Sequence, residues 1–104
     1  MEYELKQDEK NNEFQLLVGE LKGECAYVIK GNTMYFMHTG IPKSLEGQGY
    51  GSKLIEFSLK QAKEQDFKIV AMCPFVIAYI DRHQEWTPYL DIEYYKRRER
   101  ENKG

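Results

Sequence analysis

The alternation of apolar and polar positions divides the chain into a β-rich first part and an α/β second part. Glu13–Val18 sets Phe14, Leu16 and Val18 against Glu13 and Gln15, the period of two expected of a half-buried strand, with Leu17 interrupting the polar side. Glu24–Lys30 (ECAYVIK) and Thr33–Thr39 (TMYFMHT) are rich in strand formers, and Gly31-Asn32 between them reads as a hairpin turn. Ahead of these, Met1–Asn12 is polar apart from Tyr3 and Leu5. It either adds little or begins an edge strand. Gly19–Gly23 is either a connection or a bulge within longer strands. This part of the chain predicts an antiparallel meander of three strands, or four if the N-terminus joins it.

Gly40-Ile41-Pro42 breaks the pattern, since Pro42 lacks an N–H and restricts Ile41. Beyond it the period changes. Ser52–Gln65 carries Leu54, Ile55, Leu59 and Ala62, with Ser58 among them and Phe57 on one flank, while Lys53, Glu56, Lys60, Lys63 and Glu64 take the other side. At about 100° per residue this is a helix with a broad apolar face, laid across a sheet. Lys68–Met72 (KIVAM) is short, apolar and β-branched, a buried strand. Strand, helix and strand in that order imply parallel pairing with Thr33–Thr39 through a crossover. Pro74 suits the first turn of a short helix over Val76–Arg82, His83–Trp86 leads out, and Pro88 prevents simple continuation. Asp91–Gly104 ends in the charge run KRRERENKG, read as a solvated, frayed helix or tail. The expected architecture is a compact mixed α/β (α+β) domain over residues 13–92. An N-terminal segment (1–12) precedes it and a charged tail (93–104) follows.

With 41% apolar and 31% charged residues the composition is that of a globular domain, and a formal charge of −2 provides no field to attract nucleic acid or anionic lipid. Cys25 and Cys73 match no zinc spacing, so no metal site is expected and both are read as free thiols. Met1–Asn12 has no apolar core of the signal-peptide kind, and no run approaches a membrane span. The expected location is cytoplasmic.

Candidate chemistry concentrates at Leu45–Ser52 (LEGQGYGS), where glycines 47, 49 and 51 precede the helix. Glycine suits positive φ and close backbone approach, and a helix N-terminus offers unpaired N–H groups to phosphate. The same glycines also suit a mere tight connection. The spacing is neither the dinucleotide fingerprint nor a P-loop. His38, near a strand end, is either a crevice residue or a rim histidine. Cys73, beside a proposed helix N-terminus, is a nucleophile, a lining of an acyl pocket or plain core. Cys25, within the meander, is structural.

These segments together resemble the small, single-domain branch of the GNAT superfamily, the acyl-CoA-dependent N-acyltransferases. The superfamily pattern [Q/R]-x-x-G-x-[G/A] is met by Glu46-Gly47-Gln48-Gly49-Tyr50-Gly51, with Glu46 in place of Gln or Arg. The branch's H-T stands here as His38-Thr39, and its C-P-F-V-x-x-Y-I-x-x-H-x-E as Cys73, Pro74, Phe75, Val76, Tyr79, Ile80, His83 and Glu85. The resemblance implies acetyl-CoA as acyl donor, without metal, and N-acetyl transfer to an unidentified amine, such as a protein or peptide. It assigns the cofactor to His38, Thr39, Gly47, Gln48, Gly49, Tyr50, Gly51 and Ser52. Tyr79 becomes the acid for the departing thiolate. Cys73 becomes a candidate nucleophile served by His83 or His38, and His83 with Glu85 a candidate base for direct transfer. Fuller relatives continue with two more strands, so an open acceptor side is expected. The alternatives are a non-catalytic acyl-CoA-binding or sensing module and a structural or interaction protein that keeps only the fold.

Overall fold

The computed structural model describes residues 2–103, with side chains through 101; Met1 and Gly104, the outer ends of the two expected terminal segments, lie outside the described residues. Five strands, β1 (Glu4–Asp8), β2 (Glu13–Val18), β3 (Leu21–Lys30), β4 (Thr33–Gly40) and β5 (Lys68–Ala71), form one sheet in sequence order. The first four pair antiparallel as a meander, and β5 lies parallel to β4 with Thr33 opposite Lys68 and Phe36 opposite Ala71. The N-terminal segment is thus the edge strand of the two readings. Of the two readings of Gly19–Gly23, neither holds in full. The turn is only Gly19-Glu20, and Leu21, Lys22 and Gly23 extend β3 opposite Val18, Leu17 and Leu16.

The described residues also form three α-helices, α1 (Tyr50–Glu64), α2 (Pro74–Arg82) and α3 (Ile92–Lys103). Helix α1 begins two residues before the predicted start, with Gly49 at its N-cap position. Its apolar face lies on the sheet, where Leu54, Leu59 and Ala62 meet Phe14, Leu16, Cys25, Met34 and Phe36, all fully buried. Truncating a leucine at such a site costs about 2–5 kcal/mol, so this face is the main cohesive element of the domain. Pro74 occupies the first turn of α2 as its fixed φ favours. Pro88 does not end local helicity, since Gln84–Tyr89 is a 3-10 helix that contains it and buries Trp86 in the core.

On the opposite face of the sheet α3 packs beside β5, with Tyr94 against Tyr35 and Tyr95 at Ala71. There Asp91 fixes the start of α3. Its backbone N–H donates to the Ile69 carbonyl, one carboxylate oxygen accepts from the Thr33 hydroxyl at 2.6 Å, and the other accepts from the Tyr94 N–H at 3.2 Å. The Tyr95 hydroxyl accepts from the Ala71 N–H at 2.9 Å, and Tyr94 packs edge-on to Tyr35. The outer edge of β5 is therefore closed by one bridge, Ile69 to Leu90, and a tyrosine. The charged residues 96–101 continue the helix into solvent.

Candidate functional site

A cleft opens where β4 and β5 part. The parallel ladder ends at Phe36, whose carbonyl accepts from both Met72 and Cys73 N–H groups at 2.9 and 3.0 Å. Beyond that point β5 turns into α2, while β4 runs on to Gly40 paired with β3 alone. Its other edge is left without a neighbouring strand. The β3–β4 register also shifts here, with Tyr27 opposite Phe36 but Ala26 opposite His38, so Met37 is an extra residue in β4. Such a bulge bends the strand and reverses which residues face the core. Thr39 consequently turns inward, buried, and His38 turns outward.

The cleft has a volume of about 650 Å³, within the range of small-molecule sites. Thr39, Gly40 and Ile41 form one wall, and Phe75, Ala78, Tyr79 and Arg82 of α2 form the other. The glycine turn from Leu45 to Gly51 closes one end with Ser52 and Ile55. Gly47 and Gly49 hold φ of +78° and +83°, and no heavy atom lies within 4 Å of where a Cβ would stand on either. The backbone there is open to approach. Gly49 caps α1 in the left-handed conformation with no side-chain capping bond, and the first bond of the helix is Lys53 N–H to the Gly49 carbonyl. The N–H groups of the first turn thus have no intrahelical partner and carry the positive end of the helix dipole. Open backbone, helix-terminal donors and the Arg82 guanidinium form a donor set that fits a pyrophosphate. Glu46, exposed on the rim, is the one acid among the lining residues.

On the α2 wall the Tyr79 hydroxyl donates to Glu56 Oε2 on α1 at 3.4 Å, and its ring stacks on His83 with centroids 4.0 Å apart. Burial pushes the Tyr79 phenol up to about 12, assisted by the charge and hydrogen bond of Glu56 and the charge of Glu85. Tyr79 is therefore protonated throughout the neutral range. His83 Nδ1 lies 2.8 Å from the Tyr79 carbonyl. Beneath the Thr39 wall, Cys73 Sγ donates to the Thr39 hydroxyl at 3.4 Å, and that hydroxyl donates to Cys25 Sγ at 3.7 Å. Burial raises the Cys25 thiol to about 11, against the hydrogen bonds from Thr39 and Ser58. Both cysteines are free and buried.

Of the residues singled out in the sequence, Thr39, Gly47, Gly49, Gly51, Ser52 and Tyr79 line this cleft. Six lie outside its lining, among them Glu85 on the 3-10 helix. His38 faces Glu24 across 4.0 Å on the opposite side of the sheet, because the bulge reverses its direction. The Gln48 amide donates to the Ser44 carbonyl, and Tyr50 is buried against Tyr3. Cys73 is 2% exposed behind Thr39, and His83 sits behind Tyr79. Sequence reasoning gave no site role to Arg82, Phe75, Ile41 or Glu56. Arg82 and Phe75 were legible as the i+3 and i−4 neighbours of Tyr79 on one helix face. Glu56 was hidden, since its link to Tyr79 joins two helices. Among the described residues no group of three or more His, Cys, Asp or Glu side chains is placed to hold a metal ion.

Comparison with known proteins places the chain in a family. The family model described as GCN5-related N-acetyl-transferase matches residues 13–89. Among solved structures, the chain is similar to a GCN5-like protein from Staphylococcus aureus determined in solution by NMR. The identity is 31%, the TM-score 0.64, and the match covers 84% of this chain and 86% of that one. No curated protein matches. The matched span runs from the second strand of the meander through the glycine turn to the end of the 3-10 helix, and the chain belongs to the GCN5-related N-acetyltransferase family.

Proposed function

We propose that the cleft binds acetyl-CoA and transfers its acetyl group to the nitrogen of an amine. The observation that carries this reading is the continuity of the cleft: helix-terminal donors at Gly49–Ser52, the free edge of β4 and the Tyr79 phenol all border one space. The glycine turn and Arg82 hold the pyrophosphate. The pantetheine arm lies along β4 beyond Phe36, where the backbone has no strand partner. Backbone donors there polarise the thioester carbonyl, and Tyr79 supplies a proton to the departing thiolate. Exposed Phe75, 65% accessible at the mouth, offers an apolar contact to an acceptor approaching from that side.

Direct attack by the amine is the mechanism we favour over an acetyl-cysteine. Cys73 is buried with its thiol directed at Thr39, and neither histidine lines the cleft. Intact-mass measurement after incubation with acetyl-CoA tests this choice. No adduct is expected, and an adduct abolished by Cys73→Ser would assign the covalent route instead.

Calorimetric titration with CoA and acetyl-CoA tests the reading as a whole. We expect one site per chain with micromolar affinity, and absence of heat with either ligand at high micromolar protein would overturn it. A second reading, an acyl-CoA-binding module without turnover, is favoured by one observation. Among the described residues Glu46 is the one carboxylate lining the cleft, and it stands at the phosphate end. Binding without acetylation of any member of an amine and peptide panel would select that reading.

A further inference from the structure

Tyr79 borders the cleft and reaches a charged partner outside it. That partner is Glu56, which is not part of the lining. Its carboxylate is bifunctional, with Oε2 receiving the Tyr79 proton and Oε1 paired to the Lys60 ammonium at 3.3 Å, and its side chain is about half exposed. The groups around Tyr79 come from α1 (Glu56 with Lys60 behind it), from α2 and its C-cap (Arg82, and His83 stacked on the ring) and from the 3-10 helix (Glu85). Of these, Glu56 accepts the phenol's hydrogen. In this resting arrangement the Tyr79 O–H is directed at Glu56, outside the lining, while Tyr79 itself borders the cleft.

That orientation is wrong for an immediate proton donor and right for an exchange. We propose that Glu56 is a positioning residue that stores the Tyr79 proton while Tyr79 handles the protons of the acceptor. This rests on the acetyl-transfer reading above. Tyr79 takes one proton from the acceptor ammonium through its cleft-side lone pair while its own proton passes to the Glu56 carboxylate. The phenol now carries its O–H on the cleft side. The amine nitrogen bonds to the acetyl carbon, the carbon–sulfur bond breaks, and its electron pair leaves on sulfur. Tyr79 gives the newly acquired proton to that thiolate and recovers its original proton from Glu56. Of the two protons an ammonium loses on becoming an amide, one ends on the CoA thiol and the other is released to water. Glu56 and Tyr79 finish as they began. No oxidant, metal or further reactant is required.

Glu56→Gln and Tyr79→Phe, alone and combined, test the assignment. Glu56 is half exposed on the outer side of α1, so the amide replacement retains the fold, checked by far-ultraviolet dichroism and by unchanged CoA affinity in calorimetry. With ring-labelled tyrosine, NMR follows ionisation of the Tyr79 phenol, its signal being the one missing in Tyr79→Phe. The expected result has three parts. Glu56→Gln shifts the phenol's ionisation to lower pH. It lowers kcat by about ten- to a hundredfold with KM for acetyl-CoA unchanged, on the scale of lost proton transfer. The double variant is no slower than Tyr79→Phe alone, because both changes interrupt one path. Unchanged ionisation and unchanged kcat in Glu56→Gln would overturn the proposal and leave acetyl transfer standing. Wild-type protein that binds CoA but acetylates nothing would overturn the transfer reading, and the proton store with it.

Discussion

Gly49 and Gly51 sit two residues apart and impose different demands. Gly49 caps α1 at φ +83° in open surroundings, so an added Cβ meets no neighbour but the backbone conformation itself is unfavourable for any L side chain. Gly49→Ala should destabilise the fold by about 1–2 kcal/mol, measured by urea denaturation. Gly51 has an ordinary helical backbone, and a Cβ there would touch Ile41 Cγ1 at 3.7 Å, a normal van der Waals contact. Because Gly51 lines the cleft, Gly51→Ala should leave the denaturation midpoint nearly unchanged while weakening CoA binding about tenfold, which calorimetry resolves. Equal effects of both substitutions on stability would contradict the distinction. At this scale the site was legible where chemistry is local. Glycine spacing marked the turn, and Tyr79 followed from the motif around Pro74. It was illegible where direction depends on register. One extra residue in β4, Met37, turns His38 away from the cleft and Thr39 into it. Strand alternation read from the sequence alone assumes no such insertion.

The elements that define the fold declared themselves by period, and the one that seals it did not. The change from a two-residue to a helical repeat after Pro42 located α1, and the apolar run at Lys68 located β5. Helix α3 has no comparable signal, since residues 96–101 are charged and exposed and its docking relies on a few side chains at its start. Asp91 is the chief of these. It accepts from Thr33 across 58 positions of sequence and from Tyr94 as a helix cap, contacts that no local pattern reveals. Asp91→Ala should cost about 1–2 kcal/mol through loss of the cap and its strand anchor. It should also free the Ala71 amide from Tyr95, seen as faster hydrogen exchange at Ala71 with α1 amides unaffected. The hydrogen bond from Thr33 holds the Asp91 carboxyl below its ordinary value of 3.8. A lowered folded-state value means this anchoring is complete above that pH and is lost as pH falls through the folded value. Acid should therefore release α3, and the release should vanish as a separate step in Asp91→Ala. Uniform exchange at Ala71 in both proteins would show that the helix is held elsewhere.

For the molecule as a whole, the buried thiol and the buried phenol set an alkaline limit. Cys25 lies under the cleft wall with its pKa raised from 9.0 to about 11, and Tyr79 is raised from 10.0 to about 12. Between the unfolded and folded values the unfolded chain gives up a proton that the native protein retains, so unfolding becomes progressively easier as pH rises. The contribution of Cys25 is fully present below pH 9.0 and is lost as pH climbs toward about 11. Two pH units of difference correspond to about 2–3 kcal/mol, a large share of the stability of a domain of this size. Cys25→Ala isolates the effect. It removes the titrating thiol at the cost of a small cavity beside Thr39, which lowers stability by a similar amount at every pH. Urea midpoints for the two proteins, taken from pH 7 to 11, should therefore run parallel up to about pH 9 and converge above it, as the wild-type loses what the variant never had. Midpoints that remain parallel to pH 11 would mean that the Cys25 thiol titrates equally in both states and that the alkaline limit arises elsewhere in the molecule.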